Sequence, residues 1–424
     1  MNIVDIINKK RNNLKLSFEE IKYIINGYVT DEIKDYQMSS LLMAICINGM
    51  DSEETYYLTE CMLNSGDKIN LSSIPGIKVD KHSTGGIGDK TTLIVGPIVA
   101  SLGVPVAKMS GRGLGYTGGT IDKLESIPGF NVNINAEDFI NQVNKINICI
   151  SSINKNIVPA DKKIYALRDV TGTVSSMSLI ASSVMSKKLA TGADKILLDV
   201  KYGVGALLKT KEEAIDLAKL MIYIGNSHQK ETMALITNMN YPLGNMIGNA
   251  LEVKEAIDIL NNRGNAELRE LCIIISTYMV SMSKGISFAD AGKEVLDSIK
   301  TGKAYNKFIE MINYQKGDIS KLYISDNIIE VRSNKEGFVN DINALTMGEI
   351  SMKLGAGRKT KEDVIDPTVG IEIIKHIGSY VKNKDVIARL YINKVNIDSN
   401  EVLNAFTIEK ELKETDKIIY GVIK

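Results

Sequence analysis

Two stretches of this 424-residue chain concentrate residue types able to hold an anion. The first is Lys81-His82-Ser83-Thr84-Gly85-Gly86-Ile87-Gly88-Asp89-Lys90-Thr91-Thr92. The second is Lys108-Met109-Ser110-Gly111-Arg112-Gly113-Leu114-Gly115-Tyr116-Thr117-Gly118-Gly119-Thr120. Glycine lets backbone N–H groups converge on an anion with no Cβ in the way. Ser83, Thr92, Ser110 and Thr120 add hydroxyl donors, and Lys81 and Lys108 add charge. Together they predict a phosphate cradle. Of the three histidines, His82 alone sits in such a setting. His228 and His376 read as structural.

Two familiar nucleotide motifs do not fit. Gly113 to Gly118 matches G-x-G-x-x-G literally, but a dinucleotide fingerprint needs an acidic ribose ligand about 20 residues on. The chain there reads Phe130-Asn131-Val132-Asn133-Ile134-Asn135. Gly88-Asp89-Lys90-Thr91 lacks the adjacent Gly and Lys of a P-loop.

These loops need a frame. Each follows a short apolar run and precedes a helix-like segment, Thr91–Ser101 and Ile121–Ser126, whose N-terminus favours an anion. Residues 1–66 read as helical, with capping boxes at Ser17-Phe18-Glu19-Glu20 and Asp51-Ser52-Glu53-Glu54. Residues 159–194 return to helix, and Ser183 and Lys187, at i and i+4, share a face. Between and after these segments, apolar runs alternate with helices, as in a mainly parallel sheet. Such sheets carry phosphate loops at the carboxyl ends of their strands. Beyond about residue 330 short alternating runs take over. The predicted architecture is α/β. It has a helical domain (1–66 with 159–194), a larger mainly parallel-sheet α/β domain (67–158 with 195–330) and a small C-terminal α+β domain (331–424).

Composition narrows the function. Lys+Arg and Asp+Glu both number 51, so the basic excess that a broad nucleic-acid surface needs is missing. The four cysteines are scattered in apolar contexts and read as buried free thiols. No apolar run reaches the 18 or so residues of a membrane span, and residues 1–5 lack signal-peptide character. The expectation is a soluble, cytoplasmic protein that binds neither nucleic acid nor membrane.

The Lys81–Asp89 run, with Ser110–Gly115 and Gly118–Phe130, resembles the signature of the thymidine and pyrimidine-nucleoside phosphorylases. The resemblance extends over nearly the whole chain. It implies reversible phosphorolysis of pyrimidine nucleosides such as uridine, thymidine and deoxyuridine, giving free base and (deoxy)ribose 1-phosphate. Lys81, Ser83, Thr92, Lys108, Ser110 and Thr120 then hold phosphate. Arg168, Ser183 and Lys187 hold the polar edge of the base, where spacing alone would leave Lys187-Lys188 a solvated pair. His82 acts as general acid toward the base, so that His82, Arg168 and Lys187 form the catalytic set. The family is homodimeric and needs no catalytic metal, with inorganic phosphate as co-substrate.

Lys108 resembles the pyrimidine-nucleoside phosphorylases, since relatives confined to deoxynucleosides carry an apolar residue there, which implies that ribose is accepted too. Two positions depart from the family pattern. Tyr116 stands where histidine is usual. Lys90 replaces a threonine that, with Gly88, Leu243, Met246 and Glu255, holds potassium in some relatives. An ammonium cannot coordinate a cation but supplies the same charge. The expectation is therefore that Lys90 substitutes for the ion. The rival readings are a strict thymidine phosphorylase, a related phosphoribosyltransferase and a noncatalytic nucleoside or phosphate sensor.

Overall fold

The computed structural model describes every residue except Leu114, Thr117, Lys155, Lys361 and Asn396. Leu114 and Thr117 belong to the second glycine-rich run, so those two positions of the quoted motif lie outside the described residues.

Four helices open the chain: α1 (Ile3–Arg11), α2 (Phe18–Val29), α3 (Asp35–Asn48) and α4 (Ser52–Leu63). Ser17 and Asp51 each cap a helix through the reciprocal box expected from sequence. The first α/β segment follows, with β1 (Val79–Ser83), α5 (Thr91–Ser101), β2 (Val106–Ser110), α6 (Thr120–Glu125), α7 (Ala136–Ile146) and β3 (Ile148–Ser152). Next, α8 (Pro159–Arg168) and α9 (Met177–Ala190) join the helical domain, α9 lying along α4. Pro159 at the first turn of α8 has the fixed φ and missing donor that this position tolerates.

The chain then returns to the α/β domain through β4 (Lys195–Tyr202), α10 (Lys211–Ser227), β5 (Glu231–Asn238), β6 (Met246–Ile247) and α11 (Asn249–Leu260). Three further helices complete it: α12 (Ala266–Lys284), α13 (Phe288–Lys300) and α14 (Lys303–Tyr314). The C-terminal part contains β7 (Ile328–Arg332), β8 (Gly337–Ile342), α15 (Ala344–Leu354), β9 (Gly370–Ile373), β10 (Tyr380–Val381), β11 (Val386–Tyr391), α16 (Ser399–Leu403), β12 (Phe406–Glu409) and β13 (Ile419–Ile423).

The central sheet has the order β1-β4-β5-β13; its first three strands run parallel and β13 is antiparallel to β5. A parallel pair, β2-β3, carries the second glycine-rich loop. Strand alternation divides β4 between two cores. Ile196, Leu198 and Val200 pack with α10 and the helical domain. Leu197 packs on the opposite side, with α5 and α12, and there Asp199 and Lys201 are wholly buried.

The C-terminal domain is less separate than the sequence suggests. Its last strand, β13, leaves it to edge the central sheet, and β6 of the α/β domain extends the antiparallel sheet β6-β9-β11-β7. Two-residue and edge strands such as these carry too little pattern to be read in advance. Among the described residues, no single helix is long and apolar enough to cross a membrane.

Candidate active site

Both glycine-rich loops leave the carboxyl ends of parallel strands, β1 and β2, and both open onto a cleft of about 580 Å³. The α/β wall of the cleft includes His82, Ser83, Thr92, Lys108, Ser110 and Thr120. Tyr165, Arg168, Ser183 and Lys187 of the helical domain form the facing wall. Two residue sets far apart in sequence thus meet across one gap.

Local chemistry holds the first loop in shape. Ser83 Oγ donates to Asp89 Oδ2, and Thr91 Oγ1 donates to Asp89 Oδ1. Burial alone would raise the pKa of Asp89, but Lys81 and Lys201 hold it far below the usual carboxylate range. The second loop folds tightly on itself: a Cβ on Gly119 would fall 2.2 Å from the Gly113 nitrogen. The hydroxyls of Thr92 and Ser110 line the cleft and make no hydrogen bond within the described residues, so both remain open to a ligand.

Lys81 alone of the expected phosphate set does not line the cleft. Its ammonium donates to Thr91 Oγ1 and sits 3.5 Å from Asp199, beneath the loop. In this arrangement it supports the loop from behind. Lys108 does reach the cleft. It donates to Asp80 Oδ1 at 2.9 Å and to the Lys81 carbonyl, which leaves one N–H for a ligand. Burial, reinforced by nearby Lys188 and Lys81, pushes its pKa down to about 7 against the pull of Asp80.

Asp80 and Lys188 were not legible as site residues. Lys188 Nζ donates to Asp80 Oδ2 at 2.7 Å, so one carboxylate joins the helical domain to Lys108 at the floor of the cleft. The partners lie 28 and 108 residues from Asp80, and no spacing rule reaches that far.

His82 faces the cleft with a pKa well below the usual imidazole value, set by burial first and then by Lys188 and Lys108. The ring is therefore neutral near pH 7. A neutral imidazole carries one N–H donor and one acceptor nitrogen.

On the helical-domain wall, Lys187 Nζ donates to Asp161 Oδ2 at 2.7 Å and, as the i, i+4 spacing predicts, to Ser183 Oγ at 3.0 Å. Its ammonium also lies 5.6 Å from the Tyr165 ring centre. The Ser183 hydroxyl, accepting from Lys187, keeps its own proton for a ligand. Arg168 is almost fully buried and donates to the carbonyls of Thr173, Leu179 and Val174. That uses three of the five guanidinium N–H groups. It fixes the turn between α8 and α9 and leaves two donors. An anion site and a cationic polar site facing each other suit a group transfer in which an anionic nucleophile displaces a leaving group that gains negative charge.

Lys90 lies deeper, at the start of α5. Its ammonium donates to Glu255 Oε2 at 2.5 Å, Met246 O at 2.7 Å and Leu243 O at 3.0 Å. The Gly88 carbonyl instead accepts from the Lys90 backbone N–H at 2.9 Å. Gly88 has φ +75°, and a Cβ there would meet Leu243 O at 2.6 Å, so the close approach requires glycine. Among the described residues, no group of three or more His, Cys, Asp or Glu side chains is placed to hold a metal ion.

Comparison with known proteins agrees with this layout. Residues 4–66 match the helical bundle domain of a glycosyl transferase family, residues 76–305 its a/b domain, and residues 338–409 a pyrimidine nucleoside phosphorylase C-terminal domain. The solved anthranilate phosphoribosyltransferase of Thermus thermophilus shares the fold, with TM-score 0.58 over 73% of this chain and 99% of that one at 15% identity. The architecture is thus that of this glycosyl transferase family. At finer resolution, the chain is 50% identical to the pyrimidine-nucleoside phosphorylase of Staphylococcus epidermidis, each covered completely. It is 49% identical to that of Bacillus subtilis, again over the whole of both, and 52% identical to that of Geobacillus stearothermophilus over 94% of each. The chain belongs to the pyrimidine-nucleoside phosphorylase family.

Proposed function

We propose that the protein catalyses phosphate-dependent cleavage of uridine, thymidine and deoxyuridine in the cleft between Ser110 and Lys187. The observation that carries this reading is the single cleft with the glycine-rich loops on one wall and Arg168, Ser183 and Lys187 on the other. A phosphate oxygen bonds to C1′, the glycosidic C–N bond breaks, and its electron pair leaves on the base. Thr92, Ser110, Thr120, Lys108 and the loop N–H groups hold phosphate; Lys81, from beneath, keeps that loop in place. Lys187 and Arg168 stabilise the negative charge gathering on the base carbonyl edge, and His82 donates its N–H toward the base. The two walls belong to different domains, so closing the cleft brings phosphate to C1′.

Lys108 supports broad sugar use, because its ammonium lines the cleft and its one remaining N–H can be shared between phosphate and a ribose hydroxyl. Lys108→Met is expected to lower kcat/KM for uridine about tenfold relative to deoxyuridine, the worth of one charge-assisted hydrogen bond. Parallel assays of both nucleosides check this; an unchanged ratio would remove Lys108 from sugar recognition.

The same reading holds that the Lys90 ammonium stands in place of a potassium ion, and that the enzyme is a cytoplasmic homodimer. A stripe on α3 supports the dimer: Tyr36, Met43 and Ile47 are 71%, 40% and 74% exposed along one face of the helix. Sedimentation giving only monomer at micromolar concentration would count against it.

A further inference from the structure

The second glycine-rich loop closes on itself at Gly113 and Gly119 but leaves Gly111, Arg112 and Gly118 exposed, and it forms much of one wall of the cleft. Backbone N–H groups recognise an anion well only when their directions are fixed beforehand. The loop must therefore be held from outside.

One anchor is Lys123, almost fully buried, whose ammonium donates to the Gly118 carbonyl at 2.9 Å and lies 3.3 Å from Glu252 of α11. The other comes from the C-terminal domain, from the segment just after α15. Arg358 Nη1 donates to the Gly113 carbonyl at 3.2 Å, and the same nitrogen lies 2.8 Å from Asp122 Oδ1. Asp122 Oδ2 in turn accepts the Gly113 N–H at 2.6 Å, so both polar groups of the Gly113 backbone are tied to one ion pair. The Gly115 N–H donates to the Arg358 carbonyl at 2.8 Å, and the two residues form an isolated antiparallel bridge. Asn249 Nδ2 of α11 donates to Ala356 O at 3.0 Å and fixes the segment itself. The fit is close, since a Cβ on Gly357 would come within 2.7 Å of the Gly115 carbonyl.

Arg358 does not line the cleft. Its side chain is only 14% exposed and that of Asp122 3%, so the pair is shielded from water where a surface pair would be worth little. Arginine suits the task because its charge is permanent and its Nη1 alone donates to the carbonyl while lying against the carboxylate.

We propose that Arg358 is a positioning residue for the phosphate loop, and that the C-terminal domain through it forms part of the phosphate-binding machinery. This rests on the phosphate site proposed above. The effect is directional: loss of the Arg358 side chain frees the Gly113 carbonyl and strips Asp122 of its cation on the phosphate wall, and leaves Arg168, Ser183 and Lys187 untouched.

The test is the steady-state kinetics of Arg358→Ala, varying phosphate at saturating uridine and uridine at saturating phosphate. The expected result is a rise of about tenfold in KM for phosphate, with KM for uridine changed less than about twofold. Arg358→Lys keeps the charge beside Asp122 on a shorter side chain that reaches Gly113 less well, and an intermediate rise is expected. Should the alanine variant unfold, the lysine variant alone carries the test. An unchanged phosphate KM, or an equal rise in both constants, would overturn the positioning role. Wild-type protein that cleaves uridine equally well without phosphate would overturn the site reading on which it rests.

Discussion

Lys90→Met is expected to destabilise the protein by roughly 3–5 kcal/mol, the usual cost of removing one partner from a buried ion pair. Lys90 and Glu255 are both almost fully buried, and the ammonium satisfies one carboxylate oxygen and two carbonyls at once. Without it, the backbone N–H groups of Asn245 and Met246 still reach Glu255, but the carboxylate keeps its charge with no cation beside it. The Leu243 and Met246 carbonyls lose their shared donor as well. Because these groups join the first glycine-rich loop to the 243–246 turn and α11, the loss should loosen the loop as well as the domain. Lys90→Thr should lose a similar amount and recover part of it when potassium is added. Wild-type activity should not change when potassium is exchanged for a bulky organic cation at constant ionic strength. Urea denaturation of the two variants, with and without potassium, checks the first two points. A wild-type enzyme that needs potassium would contradict the substitution of ammonium for ion.

Lys187→Ala should lower kcat/KM for uridine by about 10- to 100-fold while the KM for phosphate stays within about twofold, the worth of one charge-assisted hydrogen bond of roughly 1.5–3 kcal/mol. The choice of Lys187 follows from the contacts. Arg168 holds three carbonyls between Thr173 and Leu179, so its removal would unmake the turn as well as the site. Lys187 holds only the Asp161 and Ser183 side chains, and its side chain is the more exposed of the two cations. The matching probe on the other wall is Ser110→Ala, which removes a hydroxyl with no hydrogen-bond partner among the described residues. It should weaken phosphate and spare the nucleoside. Lys81→Ala is a poorer probe, because it leaves buried Asp199 with Lys201 as its remaining close cation. Equal damage to both substrates from Lys187→Ala and from Ser110→Ala would contradict the two-walled site.

Much of this was legible in the sequence because the signals are local. Helix α5 runs over the expected Thr91–Ser101, and Ser17 and Asp51 cap as their spacing requires. Ser183 and Lys187 touch because a helix brings i and i+4 together. What escaped was set by tertiary contact. Nothing around Asp80 announces that it holds Lys108 and Lys188 together, and nothing around Arg358 points to a glycine 245 residues earlier. The neutral state of His82 likewise depends on burial and on two lysines from other elements. The inward turn of Lys81 reflects Asp199, wholly buried on the adjacent strand β4. Sequence shows which residue types gather, while the fold decides which of them face the ligand.

The most direct test of the central claim is the ultraviolet absorbance of uridine incubated with the protein, with and without inorganic phosphate. The expected trace changes to that of free uracil only when phosphate is present, and ribose 1-phosphate accumulates in equal amount. Binding of uridine and phosphate with no uracil released would contradict the account and leave a noncatalytic sensor. Uracil released at the same rate without phosphate would contradict it too, because water would then be the nucleophile and the glycine-rich loops would have no reacting ligand.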